Sequence, residues 1–185
     1  MKTTMRVLLS LYALLIVGCS HVAPRYGVSV DQLEDLISLR TSASKRIAVA
    51  PFTSYEPGKQ SIMCRGAGPV EPPDGKSFEA YLRDALISEL KVAEVFDEKS
   101  PSVLQGRLEH IDFSSNIGAA NWTIRLSFSS SGTEPFTVQH TYPFSTNFIG
   151  DIACGQVARA LMPATQTFYR SVFNHPGFKR ILTDR

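Results

Sequence analysis

Two stretches of strict alternation between apolar and polar residues predict a β-hairpin. The apolar positions are Trp122, Ile124, Leu126 and Phe128 in the first stretch, and Phe136, Val138, His140 and Tyr142 in the second. Ser130, Ser131 and Gly132 supply the turn between them. Side chains at every second position of a strand share one face. The hairpin is therefore expected to bury one face and expose the other.

Two further strands are predicted on either side of the first long helix. Residues 45–52 are mainly apolar and end in Pro51 and Phe52, which is typical of a strand covered on both faces. In residues 103–113 the apolar positions change parity after Leu108. A β-bulge near Glu109 or His110 would restore a single buried face.

A period near 3.6 residues predicts two main helices, over residues 77–93 and 151–173. Ser77 is the expected N-cap of the first. Pro163 falls inside the second, where the missing amide predicts a kink or break. Two shorter helices are expected as well, one after the capping box at residues 29–32 and one near the C-terminus.

Residues 53–76 contain four prolines and four glycines, so no regular element is expected there. A loop of this length in a compact domain is usually functional or poorly ordered. Its candidate partner-binding residues are Tyr55, Ile62, Met63, Arg65 and Val70. The alternative is that its apolar side chains pack beneath the loop as a local core.

The first 19 residues follow a different pattern. Lys2 and Arg6 precede an apolar run over residues 7–17, which is too short to span a bilayer and fits a secretory signal. Ile16-Val17-Gly18-Cys19 resembles the lipobox of bacterial lipoproteins. The resemblance implies diacylglycerol on Cys19, cleavage before it, and acylation, for example by palmitate, of the new amine. An ordinary signal peptide or a short uncleaved anchor are the alternatives.

Three regions follow from this interpretation: a signal peptide over residues 1–18, a lipidated tether over 19–28, and one periplasmic domain over 29–185. Ser20, rather than aspartate, follows the cysteine, which resembles the outer-membrane sorting class. We therefore expect a protein anchored in the cell outer membrane and facing the periplasm.

Charge and cysteine content narrow the possible partners and bonds. Removing Lys2 and Arg6 from the 19 basic residues leaves 17, equal to the 17 acidic ones, so no net charge favours nucleic acid. Once Cys19 is lipidated, Cys64 and Cys154 remain in an oxidising compartment. They are predicted to form a disulfide, with two separate thiols as the alternative.

Catalytic and metal-binding patterns are weak in this chain. His110 and His140 lie on neighbouring predicted strands without ligands at suitable spacing, so no metal site is expected. Asp74-Gly75-Lys76-Ser77 resembles the end of a phosphate-binding loop, but Val70 stands where that loop needs glycine. A turn and a helix cap are expected there, without a cofactor. The sequence nominates no catalytic residue.

Arg46-Ile47-Ala48-Val49-Ala50-Pro51-Phe52, and a helix that runs into Val95-Phe96, resemble lipoproteins with the fold of the TolB amino-terminal domain. That group includes CsgG-like secretion lipoproteins, LpoB-type activators of penicillin-binding proteins and ABC-transport auxiliary lipoproteins. The resemblance implies binding of other envelope proteins and no enzymatic activity.

These patterns together predict a single α/β sandwich. Its element order is β-α-β-β-β-α, with one mixed sheet and both main helices on one face. We expect a non-enzymatic, lipid-anchored protein that binds an envelope assembly, secretion or transport partner. A small-molecule or lipid-binding protein is the alternative. An envelope hydrolase is a third, and it would require His110 and His140 to converge on Asp112.

Overall fold

A computed structural model describes residues 20–29 and 33–183 of the chain. The predicted signal peptide, Cys19 and the last three residues of the capping box lie outside the described residues. Strands and helices follow in the order β1 (His21–Val22), α1 (Leu33–Ser42), β2 (Ala48–Val49), β3 (Thr53–Ser54), β4 (Ile62–Met63), β5 (Pro69–Glu71), α2 (Phe78–Val92), β6 (Val103–Ser114), β7 (Asn121–Ser129), β8 (Phe136–Pro143), α3 (Gly150–Asn174) and α4 (Pro176–Leu182).

The main sheet is mixed and has five strands. β2 and β3 both pair in parallel with β6, at successive points of the same edge, while β6, β7 and β8 form an antiparallel meander. Pro51 lies between β2 and β3 and has no amide to donate to the ladder, which accounts for the interruption. The mixed sheet with helices packed on it is the α/β fold that the sequence predicts.

Both main helices cover the same face of the sheet. Trp122 of β7 is fully buried and lies 6.1 Å from the ring of Phe78 in α2, between ring centroids. Its indole nitrogen donates to the carbonyl of Val157 in α3 at 2.9 Å. The opposite face carries polar side chains, among them the cross-strand pairs Thr123–Thr141, Arg125–Gln139 and Ser127–Thr137.

Several local predictions are confirmed. The register between β6 and β7 shifts between Leu108 and His110, where the bulge was expected. The hydroxyl of Ser77 accepts from the amide of Ala80, as an N-cap does. Gly132 has φ of +77° in the hairpin turn, a conformation that glycine adopts without strain.

One local prediction is wrong. Residues 53–76 are not irregular, because they contain β3, β4, β5 and a 3-10 turn at Pro73–Gly75. Strands of two or three residues are too short to leave a periodic pattern. At Pro163, where a kink or a break was expected, the break does not occur, since α3 runs unbroken from Gly150 to Asn174. Its buried stripe, which includes Leu161 and Phe168, keeps both halves packed on the sheet.

Candidate functional site

The segment after Cys19 is packed against the body, in contrast to the tether expected for residues 19–28. β1 pairs in parallel with β5, and β5 pairs with β4, so His21 and Val22 form the outer strand of a small three-stranded sheet. The Nε2 atom of His21 lies 3.3 Å from the carbonyl oxygen of Ala67 and 3.6 Å from a carboxylate oxygen of Asp151. The first described residues are therefore fixed beside the N-terminus of α3.

Polar contacts continue this attachment along the N-terminal segment. Arg25 forms an exposed ion pair with Asp74 at 2.7 Å, and the carbonyl of Gly27 accepts from the side chain of Gln166. The hydroxyl of Tyr26 donates to the buried carboxylate of Glu89. Burial raises the pKa of Glu89, although the hydrogen bond from Tyr26 opposes that shift.

Cys64 and Cys154 form a disulfide that ties the β4–β5 hairpin to α3. Their sulfur atoms are 2.05 Å apart, their Cα atoms are 5.9 Å apart, and both residues are fully buried. The bond joins the hairpin turn at residues 64–68 to the second turn of α3. The number of cysteines and the expected oxidising compartment suggested this pair, and the fold supplies the proximity that a disulfide requires.

Arg65 connects three segments at the same end of the molecule. Its guanidinium donates to the hydroxyl of Ser115 at 2.8 Å and also to the carbonyl of Ser115. It donates further to the carbonyls of Asn147 and Phe148, at 3.2 and 3.3 Å. These bonds hold the hairpin turn against the β6–β7 loop and against the segment that leads into α3.

The five residues predicted to bind a partner have different environments. Val70 is fully buried and Ile62 packs against the core, so these two form the local core that was the alternative. Met63 is 66% exposed on the outer side of the hairpin. Tyr55 is 73% exposed, but it follows β3 at the edge of the main sheet. The structure thus brings four of the five into one hairpin and leaves Tyr55 apart.

Sequence reasoning missed exposed apolar residues near Arg65. Phe148 and Ile149 precede α3, Ile152 lies in its first turn, and Ile117 lies in the β6–β7 loop. Their only sequence signal is two adjacent apolar residues, Phe148 and Ile149, outside the helical stripe.

The histidines do not converge. His110 and Asp112 pair across the sheet with Arg125 and Thr123, on the uncovered face. His140 pairs with buried Ile124, so it faces the helices, where its Nδ1 lies 3.4 Å from the hydroxyl of Ser171. Burial lowers the pKa of His140. The arrangement that would support a hydrolase is therefore not formed.

Among residues 20–29 and 33–183, no group of three or more His, Cys, Asp or Glu side chains is placed to hold a metal ion. None of the helices in the described part of the chain is long and apolar enough to cross a membrane.

The uncovered face of the sheet contains an open groove of about 610 Å³. Residues from β3, β6 and β7 line it, together with the loops next to them: Pro51, Thr53, Gln105, Arg107, Ser127 and Pro135 are representative. The groove contains Arg107 and Glu109, which carry opposite charges. It lies on the main sheet, over the beginning of β6.

No protein-family model matches the chain, and no curated protein does. A crystal structure of protein XCC0632 from Xanthomonas campestris, described as family-model DUF330, is similar over 85% of this chain and 100% of that one. Its identity is 11% and its TM-score 0.46, so this likeness carries no argument about fold or function.

Proposed function

We propose that this chain is a lipid-anchored protein of the outer membrane that faces the periplasm and binds an envelope protein through the uncovered face of its sheet. One observation supports this most directly: β1, the first described strand after the predicted anchor, and the groove lie toward opposite ends of the sheet. β1 begins two residues after Cys19, beside the loops at the end of β6, whereas the groove lies over the beginning of β6.

The separation between the two ends follows from strand geometry. Arg107 lines the groove and Ser115 follows the other end of the same strand. Eight residues of extended chain span about 25 Å. A membrane at the Cys19 end would therefore leave the groove exposed to the periplasm.

The uncovered face has the properties of a protein-binding surface. It is polar, and it carries Arg107 and Glu109, which form an ion pair of 3.7 Å near Pro51. The exposed Tyr55 lies next to Glu109 in an adjoining depression. Aromatic and arginine side chains are enriched where proteins bind one another. Residues Thr53 and Tyr55 also belong to the segment that the sequence nominated for partner contact.

The alternative is a small-molecule or lipid ligand in the same groove, whose volume lies in the range of ligand sites. The groove is open, however, and part of its lining is charged. A protein surface fits such a shape better than a small ligand does, because a small ligand would stay largely in contact with water.

Two measurements test the proposal. For the anchor, radiolabelled palmitate should incorporate into the native chain and not into Cys19→Ser, and globomycin should block processing of the precursor. An unlabelled native chain would refute lipidation.

For the partner, a photo-crosslinking phenylalanine analogue would replace Tyr55 beside the groove, and in a control it would replace Val92 on α2, which is also exposed. Irradiation of intact envelopes should give a discrete higher-mass protein adduct at Tyr55 and none at Val92. Equal products at both positions would contradict the proposed binding face, and no adduct at Tyr55 would favour a small ligand.

A further inference from the structure

We propose that the end of the body nearest Cys19 rests on the lipid bilayer, with a set of exposed apolar side chains inserted at the boundary between headgroups and acyl chains. We call this set the apolar rim; it consists of Met63, Ile117, Phe148, Ile149 and Ile152. The proposal rests on the anchoring of Cys19 proposed above. It adds a second membrane contact, made by the folded body itself.

The reach of the chain places the body close to the anchor. His21 is held by Ala67 and Asp151, and only Ser20 separates it from Cys19. Two residues of fully extended chain span no more than about 7 Å. If acyl chains on Cys19 enter the bilayer, the hairpin turn and the N-terminus of α3 must lie within roughly 10 Å of its surface.

The rim residues belong to the segments that meet at this place. Arg65 joins the hairpin turn to the β6–β7 loop through Ser115, and to the segment before α3 through Asn147 and Phe148. A methyl group at Gly150 would lie 3.8 Å from the side chain of Ala67, which also contacts His21 through its carbonyl. The anchor point and the rim are therefore neighbours.

The five residues of the apolar rim are large apolar side chains that are exposed to solvent. Their exposed fractions are 83% for Phe148, 66% for Met63, 59% for Ile117, 57% for Ile149 and 43% for Ile152. Grouped exposure of this kind marks a surface that contacts another phase or molecule. Scattered single residues would need no such explanation.

The position of the chain outside the structure identifies the occupant. Nineteen residues precede Ser20, and the proposed cleavage leaves one of them, with its acyl chains, beside the rim. A partner protein at the rim would have to displace the bilayer surface that the anchor brings there.

The segments that carry the apolar rim are fixed to one another, which favours their contact with the bilayer. The Cys64–Cys154 bond fixes the hairpin to α3, and Arg65 fixes both to the β6–β7 loop. Apolar residues on a fixed surface enter an interface without the entropy loss of ordering a flexible loop. The bilayer would then set the orientation of the body as well as its location.

The experiment uses the full lipidated protein in vesicles of phosphatidylethanolamine and phosphatidylglycerol, with or without bromine at carbons 6 and 7 of the acyl chains. Bromine quenches tryptophan emission at short range. Phe148→Trp and Met63→Trp report on two segments of the rim, and Tyr55→Trp is the control at the main-sheet edge. Native Trp122 is fully buried, so it gives a common background.

We expect brominated lipid to remove roughly half of the added emission of Phe148→Trp and Met63→Trp, because interfacial side chains enter only about 5–10 Å. The added emission of Tyr55→Trp should not change. If brominated lipid quenches neither rim position in protein that carries palmitate, the proposed membrane contact of the rim is wrong, while the lipid anchor still holds. Absence of palmitate would overturn both proposals.

Two positions keep the test decisive if one variant folds poorly. Near-ultraviolet circular dichroism and thermal unfolding identify such a variant, and the other rim position then decides. Equal quenching at Tyr55→Trp would mean that the body does not hold the proposed orientation, and this result would also overturn the proposal.

Discussion

Reduction of the Cys64–Cys154 disulfide should destabilise the whole domain and loosen the N-terminal sheet first. The bond closes a loop between residues 90 positions apart. Both cysteines are fully buried, so a double replacement by alanine removes the crosslink without burying a new polar group. Reduction in urea, followed by refolding with the reductant present, removes the crosslink with no change of sequence.

The magnitude follows from the entropy of the unfolded chain. For a loop of this length, loop closure in the unfolded state is worth about 4–5 kcal/mol at 25 °C. The folded domain loses little else, because the main sheet and both long helices do not depend on the bond. A typical domain is stable by only about 5–15 kcal/mol, so the reduced protein should remain folded with a much smaller margin.

The assay is urea unfolding of the oxidised, reduced and Cys64→Ala/Cys154→Ala proteins, followed by circular dichroism. The reduced and double-alanine proteins should lose similar free energies of unfolding. Hydrogen exchange gives the local part of the prediction. The amide of Ala23, bonded to the carbonyl of Glu71, should exchange sooner than amides in β7 once the bond is open.

Two results would refute this reasoning. A loss below about 1 kcal/mol would show that the unfolded chain gains little freedom when the crosslink is opened. Uniform acceleration of exchange, with no earlier loss at Ala23, would show that the small sheet does not depend on the disulfide.

Three further predictions concern single side chains. In Gly106→Ala the new methyl group would lie 2.5 Å from the ring of Phe52, so we expect a loss of about 1–3 kcal/mol in urea unfolding; Gly27→Ala, which meets no atom within 4 Å, should be nearly neutral. Burial raises the pKa of Glu89, so the unfolded chain loses the carboxyl proton at a lower pH than the folded chain does. The free energy of unfolding should therefore fall as pH rises from about 4.3, the ordinary value, towards the raised pKa. Glu89→Gln should flatten this part of the pH profile of Tm, and an unchanged slope would contradict the raised pKa of Glu89. In Arg65→Lys the ammonium group lacks the planar fork that hydrogen-bonds both the β6–β7 loop and the segment before α3. Limited proteolysis near residues 145–149 should therefore speed up several-fold. An unchanged cleavage rate would show that Arg65 does not hold that segment.

Much of the main sheet and its helices could be predicted from the sequence. Each of these elements buries one face over many residues, so apolar residues recur in the sequence with the period of a strand or a helix. The alternation from Trp122 to Phe128 therefore gave the hairpin, and the parity change after Leu108 gave the bulge. A hydroxyl at Ser77 was sufficient to locate the start of α2.

The small sheet could not be predicted, because its strands are too short to carry a period. Residues 62–71 form a hairpin because Cys64 is tied to Cys154 and because Gly66 and Gly68 adopt positive φ in the turn. His21 and Val22 are strand residues only because β5 offers them a partner. These are contacts between distant parts of the chain.

The candidate sites divide in the same way. The sequence by itself determined the residue types: the cysteine of the predicted lipobox, the pair available for a disulfide and the tyrosine at position 55. Only the tertiary structure decided which of them are neighbours. It placed the segments of Phe148, Ile117 and Met63 around Arg65, beside the first described residues. Burial leaves a periodic pattern in the sequence, whereas contacts between exposed loops leave none.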